Sequence, residues 1–102
     1  KQRVLKVPKK ILKQYGAVSI QCCISMVNNL SKISNSQINV SITGIAGPKG
    51  GSKEKPVGLV FIGIKFKKKI YANKYLFLNK SRINFQKATA NKVIRSVLSI
   101  VK

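Results

Sequence analysis

The sequence predicts an α/β or α+β layer structure, with helices packed on a small mixed sheet. Segments with helical periodicity and segments with strand periodicity follow one another, and glycine and proline separate them. The chain has 102 residues, of which 44% are apolar. A chain of this length buries roughly 65% of the surface that its unfolded form exposes, so we expect a single domain over residues 1–102.

Two helices are predicted in the first third of the chain. Pro8 suits the first turn of a helix and Gly16 a left-handed stop, so the first helix should span Lys9–Tyr15. Ser19 is a suitable N-cap for a second helix. The apolar residues of that helix recur at helical spacing: Ile20, Cys23, Ile24, Val27 and Leu30.

A strand and a long loop are predicted in the middle of the chain. Ile38, Val40 and Ile42 alternate with polar residues, which is typical of a strand. The segment Gly44–Gly58 then holds five of the seven glycines and two of the three prolines. Such a concentration of both residues predicts a long, shaped loop.

The last part of the chain predicts a hairpin and a helix. Val57–Phe66 and Ile70–Leu78 are rich in Val, Ile, Phe and Tyr, and Lys67-Lys68-Lys69 joins them as a turn. Ser81 can cap a final helix. A continuous apolar stripe is expected along that helix: Ala90, Val93, Ile94, Val97, Leu98 and Val101.

The charge composition excludes several classes of enzyme. The chain has 21 Lys and Arg residues, a single acid, Glu54, and no His, for a formal charge of +20. One carboxylate cannot supply the acid pair of a glycosidase or an oxygen-rich calcium or magnesium site. Without His, Ser-His-Asp and Cys-His chemistry is also excluded. We expect neither a metal nor a cofactor.

The cysteines and the hydropathy pattern indicate a cytoplasmic protein. Cys22 and Cys23 are adjacent, which fits neither a zinc site nor a disulfide framework, so we expect buried small apolar residues in a reducing compartment. The longest uncharged stretch, Gln14–Ser31, is partly polar and shorter than the ~20 apolar residues of a membrane span. No membrane crossing and no signal peptide are indicated.

Two classes of ligand remain open from the residues alone. Loop glycines can turn backbone N–H groups toward an anion, and Thr43, Ser52, Lys53 and Lys55 add donors for phosphate, although neither nucleotide-loop motif is present. Alternatively, the charge of +20 favours a polyanion such as nucleic acid. The lysines are spread along the chain and the aromatic residues form no recognised stacking motif, so specific nucleic-acid recognition stays the alternative.

Four strings occur in a characteristic order: Gly16-Ala17-Val18-Ser19, Ile42-Thr43-Gly44-Ile45-Ala46-Gly47-Pro48, Gly50-Gly51-Ser52 and Glu54-Lys55-Pro56-Val57-Gly58. Together they resemble the signature of the CinA C-terminal domain family. That family comprises the competence/damage-inducible protein CinA and the stand-alone nicotinamide-nucleotide amidohydrolases. The resemblance covers Lys1 to Arg82 well and the last helix loosely.

The resemblance implies a three-layer α/β domain that hydrolyses the amide of nicotinamide mononucleotide (NMN), giving the acid and ammonia in pyridine nucleotide recycling. The family is similar to a serine amidohydrolase with a lysine as the base, and Lys1 stands at the position of that catalytic lysine. Arg82 would bind the phosphate. The loop residues at matching positions would contact the substrate: Thr43, Gly44, Ala46, Gly47, Gly51, Ser52 and Lys55.

The sequence also departs from the family pattern. The Ser-Cys-Thr-Gly-Gly-like string that carries the nucleophile is not found, and neither is the first strand of the domain. The domain is therefore expected to be incomplete at its N-terminus and inactive alone. The family's Gly-Asp-Arg reads Lys80-Ser81-Arg82, Gln86 replaces a second arginine, and Gln37 replaces an acid.

Three hypotheses therefore stay open. The chain is a fragment or decayed remnant of an NMN amidohydrolase domain, or a small basic protein that binds nucleic acid or another polyanion, or a chain that works with a separately encoded N-terminal fragment. Assembly as a homo-oligomer is a further expectation that the sequence leaves open.

Overall fold

Helices cover both faces of a three-stranded sheet in the part of the chain that the structure describes. The computed structural model describes residues 7–47, 50–78 and 80–102. The helices and strands are α1 (Lys9–Tyr15), α2 (Ile20–Ile33), β1 (Ile38–Gly44), β2 (Leu59–Phe66), β3 (Lys69–Leu76) and α3 (Arg82–Val101). The predicted α/β class and its three layers are confirmed, with α1 and α2 on one face of the sheet and α3 on the other.

The strands lie in the order β1-β2-β3, and both described pairings are antiparallel. Consecutive strands joined without a crossover helix pair in this way, so the described part of the sheet is antiparallel where a mixed sheet was expected. The β2–β3 turn has two residues, Lys67 and Lys68, with φ of 52° and 69°. Lys69, expected in the turn, already pairs with Phe66 as the first residue of β3.

Strand β2 forms the centre of the molecule and is buried on both faces. Leu59 and Phe61 pack with Cys23 of α2 on one face. Val60, Ile62, Ile64 and Phe85 of α3 pack together on the other face. Alternate residues of a strand point to opposite faces, so this near-continuous apolar strand holds the two helical layers together.

Helix α2 lies close to the sheet because one strand residue there has no side chain. Ser19 caps the helix as predicted, since its Oγ accepts a hydrogen bond from the Cys22 N–H at 3.1 Å. A Cβ at Gly63 would lie 3.0 Å from the Cys23 Sγ and 2.8 Å from the Ser41 Oγ. The prediction that both cysteines are buried and free is confirmed: Cys22 and Cys23 are 3% and 0% exposed.

Helix α3 crosses the opposite face of the sheet along a narrower seam than the sequence predicts. Ser81 caps it, accepting a hydrogen bond from the Asn84 N–H at 3.2 Å, and Val93 and Val97 pack against the core. Three residues of the predicted stripe lie on the flank of the helix and are 57%, 58% and 45% exposed: Ile94, Leu98 and Val101. A helix crossing one sheet buries residues spaced three or four apart, and the flanking ones stay in solvent.

None of the helices in the described residues combines the length and the apolar character needed to span a lipid bilayer.

Candidate functional site

The Gly-rich loop leaves β1 and returns to β2 on a short base of backbone hydrogen bonds. The Ile45 N–H donates to the Leu59 carbonyl at 2.8 Å, and the Gly58 N–H donates to the Ile45 carbonyl at 2.7 Å. Gly58 has a φ of +100°, and its carbonyl accepts from the Phe77 N–H at 2.9 Å. The loop therefore projects from a fixed base at the end of the sheet.

Two of the predicted substrate-contacting glycines fold the loop onto itself. Gly47 has a φ of +81°, and a Cβ there would overlap the Cγ1 of Val57. A Cβ at Gly51 would lie 2.6 Å from the Val57 backbone nitrogen. Both positions therefore need glycine for the packing of the loop, whatever the loop binds.

Three of the predicted polar contact residues position the loop, two of them by bonding to the α1–α2 junction. The Thr43 Oγ1 donates to the Ala17 carbonyl at 2.7 Å, and the Lys55 Nζ donates to the Tyr15 carbonyl at 2.5 Å. Ser52 closes a turn with Lys55, because its Oγ accepts from the Lys55 N–H at 3.0 Å. The Thr43 hydroxyl and the Lys55 ammonium, both expected to donate to phosphate, thus donate to backbone carbonyls that position the loop.

The remaining predicted residues lie at the α3 side of the loop. The Arg82 Nη1 lies 3.5 Å from the Gly47 carbonyl, so the first residue of α3 reaches the loop. Gly44 and Ala46 line an adjacent groove of about 320 Å³. The other residues along this groove come from β1, β2 and α3: Ile42, Val60, Phe85, Gln86, Thr89 and Ala90. We call it the loop groove.

Ala46 lines the loop groove, and Gly47 follows it in the chain. Within the described residues, no backbone carbonyl accepts a hydrogen bond from the N–H of Ala46 or of Gly47. The guanidinium of Arg82 and the N-terminus of α3 add positive charge beside them. Apolar walls with a few such donors at one end are typical of a small-molecule site for an anionic ligand.

The structure thus divides the predicted site. Gly44 and Ala46 line the loop groove, and Arg82 contacts the loop at Gly47. Thr43 and Lys55 bind the α1–α2 junction, Ser52 closes a turn with Lys55, and Gly51 packs inside the loop. Lys1, the predicted catalytic lysine, lies outside the described residues, so its role stays a prediction.

Sequence reasoning missed the contribution of α3 to the groove. Phe85 and Thr89 are 6% exposed each and stand one helical turn apart, and Gln86 lies between them. Their helical spacing could be recognised in the sequence, but their position opposite Gly44 depends on how α3 crosses the sheet. Local periodicity carries no information on that crossing.

A second cleft of about 410 Å³ opens on the α1–α2 face, and it holds the lone carboxylate of the chain. Glu54, Lys55 and Lys74 line it together with Tyr15. Nearby, burial raises the pKa of the Cys22 thiol, and the charge of Lys55 offsets part of that effect. The described residues include no group of three His, Cys, Asp or Glu side chains that could hold a metal ion.

A protein-family model matches almost the whole chain. The model, described as the CinA C-terminal domain, matches residues 1–101. Among curated relatives, a putative competence-damage inducible protein of Clostridium novyi (strain NT) is 53% identical over 64 residues. That match covers 63% of this chain and 16% of the relative. A CinA-like protein of Leptospira biflexa serovar Patoc is 47% identical over 78 residues, covering 76% and 19%.

Solved structures share the fold. The competence/damage inducible protein CihA from Agrobacterium tumefaciens superposes with a TM-score of 0.94 at 30% sequence identity, covering 99% of this chain and 62% of that chain. A competence or damage-inducible protein from Enterobacter asburiae gives a TM-score of 0.91 at 24% identity, which bears on the fold alone. The chain therefore spans less than a fifth of the curated relatives and about three fifths of the solved chains.

Proposed function

Because the chain belongs to the CinA C-terminal domain family, we propose that it carries the nucleotide-binding part of an NMN amidohydrolase domain, with the loop groove as the substrate site. The observation that carries the proposal is that Gly44 and Ala46 line one groove, while Arg82 reaches the carbonyl of Gly47 in the same loop. Arg82 is far from the three loop residues in the sequence, and the resemblance assigns all four of them to the substrate.

The chemistry of the groove suits the parts of NMN. The pyridine ring is flat and weakly polar, and Ile42, Val60 and Phe85 offer it an apolar surface. The phosphate needs cationic and N–H donors, which Arg82 and the backbone of the loop beside the groove would supply. In this arrangement the ring lies along α3 and the phosphate lies beside Gly47.

Catalysis in this proposal rests on residues outside the described part of the chain. Lys1 would act as the base, accepting a proton from a serine hydroxyl that then attacks the amide carbon; a lysine surrounded by other cations loses its proton more easily. The described residues would bind and orient NMN. Binding and orienting a substrate contribute much of the rate of an enzyme. Binding of NMN can be measured separately from its turnover.

The first test is binding of NMN to the purified chain, measured by calorimetry or ligand-observed NMR. Arg82→Gln should weaken binding by about tenfold to a hundredfold, since a charged hydrogen bond contributes about 1.5–3 kcal/mol. Nicotinamide riboside, which lacks the phosphate, should bind equally to both forms. Lys87→Gln is the matched control, because it removes one positive charge from an exposed position of the same helix that does not line the loop groove.

The second test is ammonia release from NMN, by the chain alone and after the remaining part of the Agrobacterium tumefaciens relative is added as a separate polypeptide. Turnover in either arm that Lys1→Ala abolishes would support the assignment of the base. If NMN does not bind in either arm, or binds with no dependence on Arg82, the loop groove is not the nucleotide site.

A further inference from the structure

A third cleft lies on the other side of α3, between β3 and the C-terminal half of that helix. Its volume is about 300 Å³. Strand β3 contributes alternate residues and the helix contributes basic and hydroxyl side chains: Tyr71, Asn73, Tyr75, Lys92, Arg95 and Ser96. It shares no residue with the loop groove. We call it the tyrosine cleft.

Two tyrosines form one wall of the tyrosine cleft. Residues at every second position of a strand share a face, so Tyr71 and Tyr75 both lie on the α3 side of β3, and both are half-buried. The ring of Phe77 continues the row, stacked on Tyr75 with centroids 6.3 Å apart and planes 5° apart. The result is a row of aromatic rings along the end strand of the described sheet.

Each of the two tyrosines has a lysine ammonium over its ring. The Lys69 Nζ lies 5.8 Å from the Tyr71 ring centroid, and the Lys92 Nζ lies 5.0 Å from that of Tyr75. Arg95 lines the cleft beside Lys92 and is the third cation near these rings. Glu54, the only acidic residue of the sequence, lines the cleft on the opposite face of the sheet. No acidic side chain among the residues that line this cleft neutralises the positive charge.

We propose that the tyrosine cleft binds single-stranded nucleic acid, with bases stacked on Tyr71 and Tyr75 and phosphates held by Lys69, Lys92 and Arg95. Stacked aromatic and basic side chains are the usual means of binding single strands, and each base stacked on a ring contributes about 1–3 kcal/mol. Asn73 can hydrogen-bond to base edges. A duplex keeps its bases stacked inside, out of reach of rings on a sheet edge, so single strands should bind more tightly than duplexes.

The lysines that cover the rings in the free protein do not prevent stacking. An exposed cation–π contact is worth about 0.5–1 kcal/mol, less than the stacking of one base. Lysine stems are flexible, so the ammonium groups of Lys69 and Lys92 can move to neighbouring phosphates as bases take their places on the rings. Moving an ammonium group from a ring to a phosphate favours the bound state, because a phosphate carries a full negative charge and an aromatic ring has only a quadrupole.

The experiment measures fluorescence anisotropy of a labelled oligothymidylate of about ten nucleotides, a length within the ~4–16-nucleotide site of single-strand binding domains. An abasic deoxyribose-phosphate strand of the same length, the corresponding duplex and heparin are the comparison ligands. The full chain is used throughout, and far-UV circular dichroism checks that each variant is folded. Anisotropy is recorded over a range of salt concentrations.

The tyrosine variants separate stacking from charge. Tyr71→Leu and Tyr75→Leu should each weaken oligothymidylate binding by about fivefold or more and leave the abasic strand unchanged. Tyr71→Phe and Tyr75→Phe keep the ring and should keep the affinity. If the leucine variants bind oligothymidylate as tightly as the parent chain does, the proposal is wrong. If one leucine variant fails to fold, the affinities of the other leucine variant and of the two phenylalanine variants decide whether the rings bind the bases.

The charge variants separate this cleft from the general charge of the chain. The double variant Lys92→Gln with Arg95→Gln should lower the logarithmic salt slope for single strands by about 1.4, at about 0.7 for each phosphate contact. The matched control, Lys10→Gln with Lys13→Gln, removes two exposed charges of α1 on the opposite face. It should leave affinity within about twofold, because salt screens charges at that distance. Equal effects of the two pairs would overturn the proposal, as would duplex or heparin binding as tight as that of the single strand.

Discussion

Gly58→Ala tests how the base of the loop is built. Gly58 has a φ of +100°, and its carbonyl accepts a hydrogen bond from the Phe77 N–H at 2.9 Å. A Cβ at this position would overlap the Phe77 carbonyl oxygen and lie 3.0 Å from the carbonyl carbon. The atoms in the way belong to the backbone, so they cannot move aside as the end of a flexible side chain would.

Two costs add in this variant. A left-handed backbone conformation costs an alanine about 1–2 kcal/mol. Moving the Phe77 segment away weakens its hydrogen bond to Gly58, worth about 0.5–1.5 kcal/mol, and disturbs the end of β3. We expect Gly58→Ala to lower the free energy of unfolding by about 1.5–3.5 kcal/mol. At about 4–8 °C for each kcal/mol in a domain of this size, the melting temperature should fall by about 6 °C or more.

Gly50→Ala is the matched control, because Gly50 has a nearly identical φ of +101°. The nearest atom to a Cβ there is the Ile45 Cγ2 at 3.8 Å, an ordinary contact. Only the conformational cost of about 1–2 kcal/mol applies. Urea unfolding followed by far-UV circular dichroism measures both variants. Equal losses in the two variants, or a smaller loss for Gly58→Ala, would refute the argument from backbone overlap.

Three further predictions concern the core. Ser19→Ala should lower the free energy of unfolding by about 1–2 kcal/mol in urea melts, more than Ser81→Ala, because the Ser19 cap is only 5% exposed. Phe85→Ala should cost about 3–5 kcal/mol by the same measurement, whereas Ile83→Ala, at a position 64% exposed, should cost about 0.5 kcal/mol or less. Burial raises the pKa of both cysteine thiols above 9.0, so alkylation of the native chain should keep accelerating as the pH rises past 9.0. The contribution of the protonated thiols to stability should be complete below pH 9.0 and lost as the pH rises above it. Alkylation that levels off near pH 9.0 would contradict the burial of these thiols.

The elements of the fold could be predicted because their signals are local. Pro8, Gly16, Ser19 and Ser81 act on the turn in which they stand, and helix α1 begins and ends where they indicate. The turn between β2 and β3 was predicted one residue too long. The residues with positive φ in such a turn are normally Asn or Gly, so two lysines in the sequence do not indicate it.

The site could be predicted only in part, because its geometry depends on contacts between distant segments. The resemblance identifies Thr43 and Lys55, but no local pattern shows that both donate to carbonyls of the α1–α2 junction. In the same way, Tyr71 and Tyr75 show strand periodicity, and only the path of α3 brings Lys92 over one of their rings. Periodicity predicts which face a residue occupies, and tertiary packing decides what that face meets.

Glu54 lies beside Lys55 and Lys74 and is the only carboxylate side chain available to 21 basic residues. In most domains added salt weakens attractive ion pairs, but here it mainly screens repulsion within the folded chain. Small anions that collect near the surface should therefore stabilise the native state without occupying a fixed position. The yield of refolding and the solubility of the protein should rise with ionic strength. An anionic polymer that gathers around the chain would shift the folding equilibrium in the same direction.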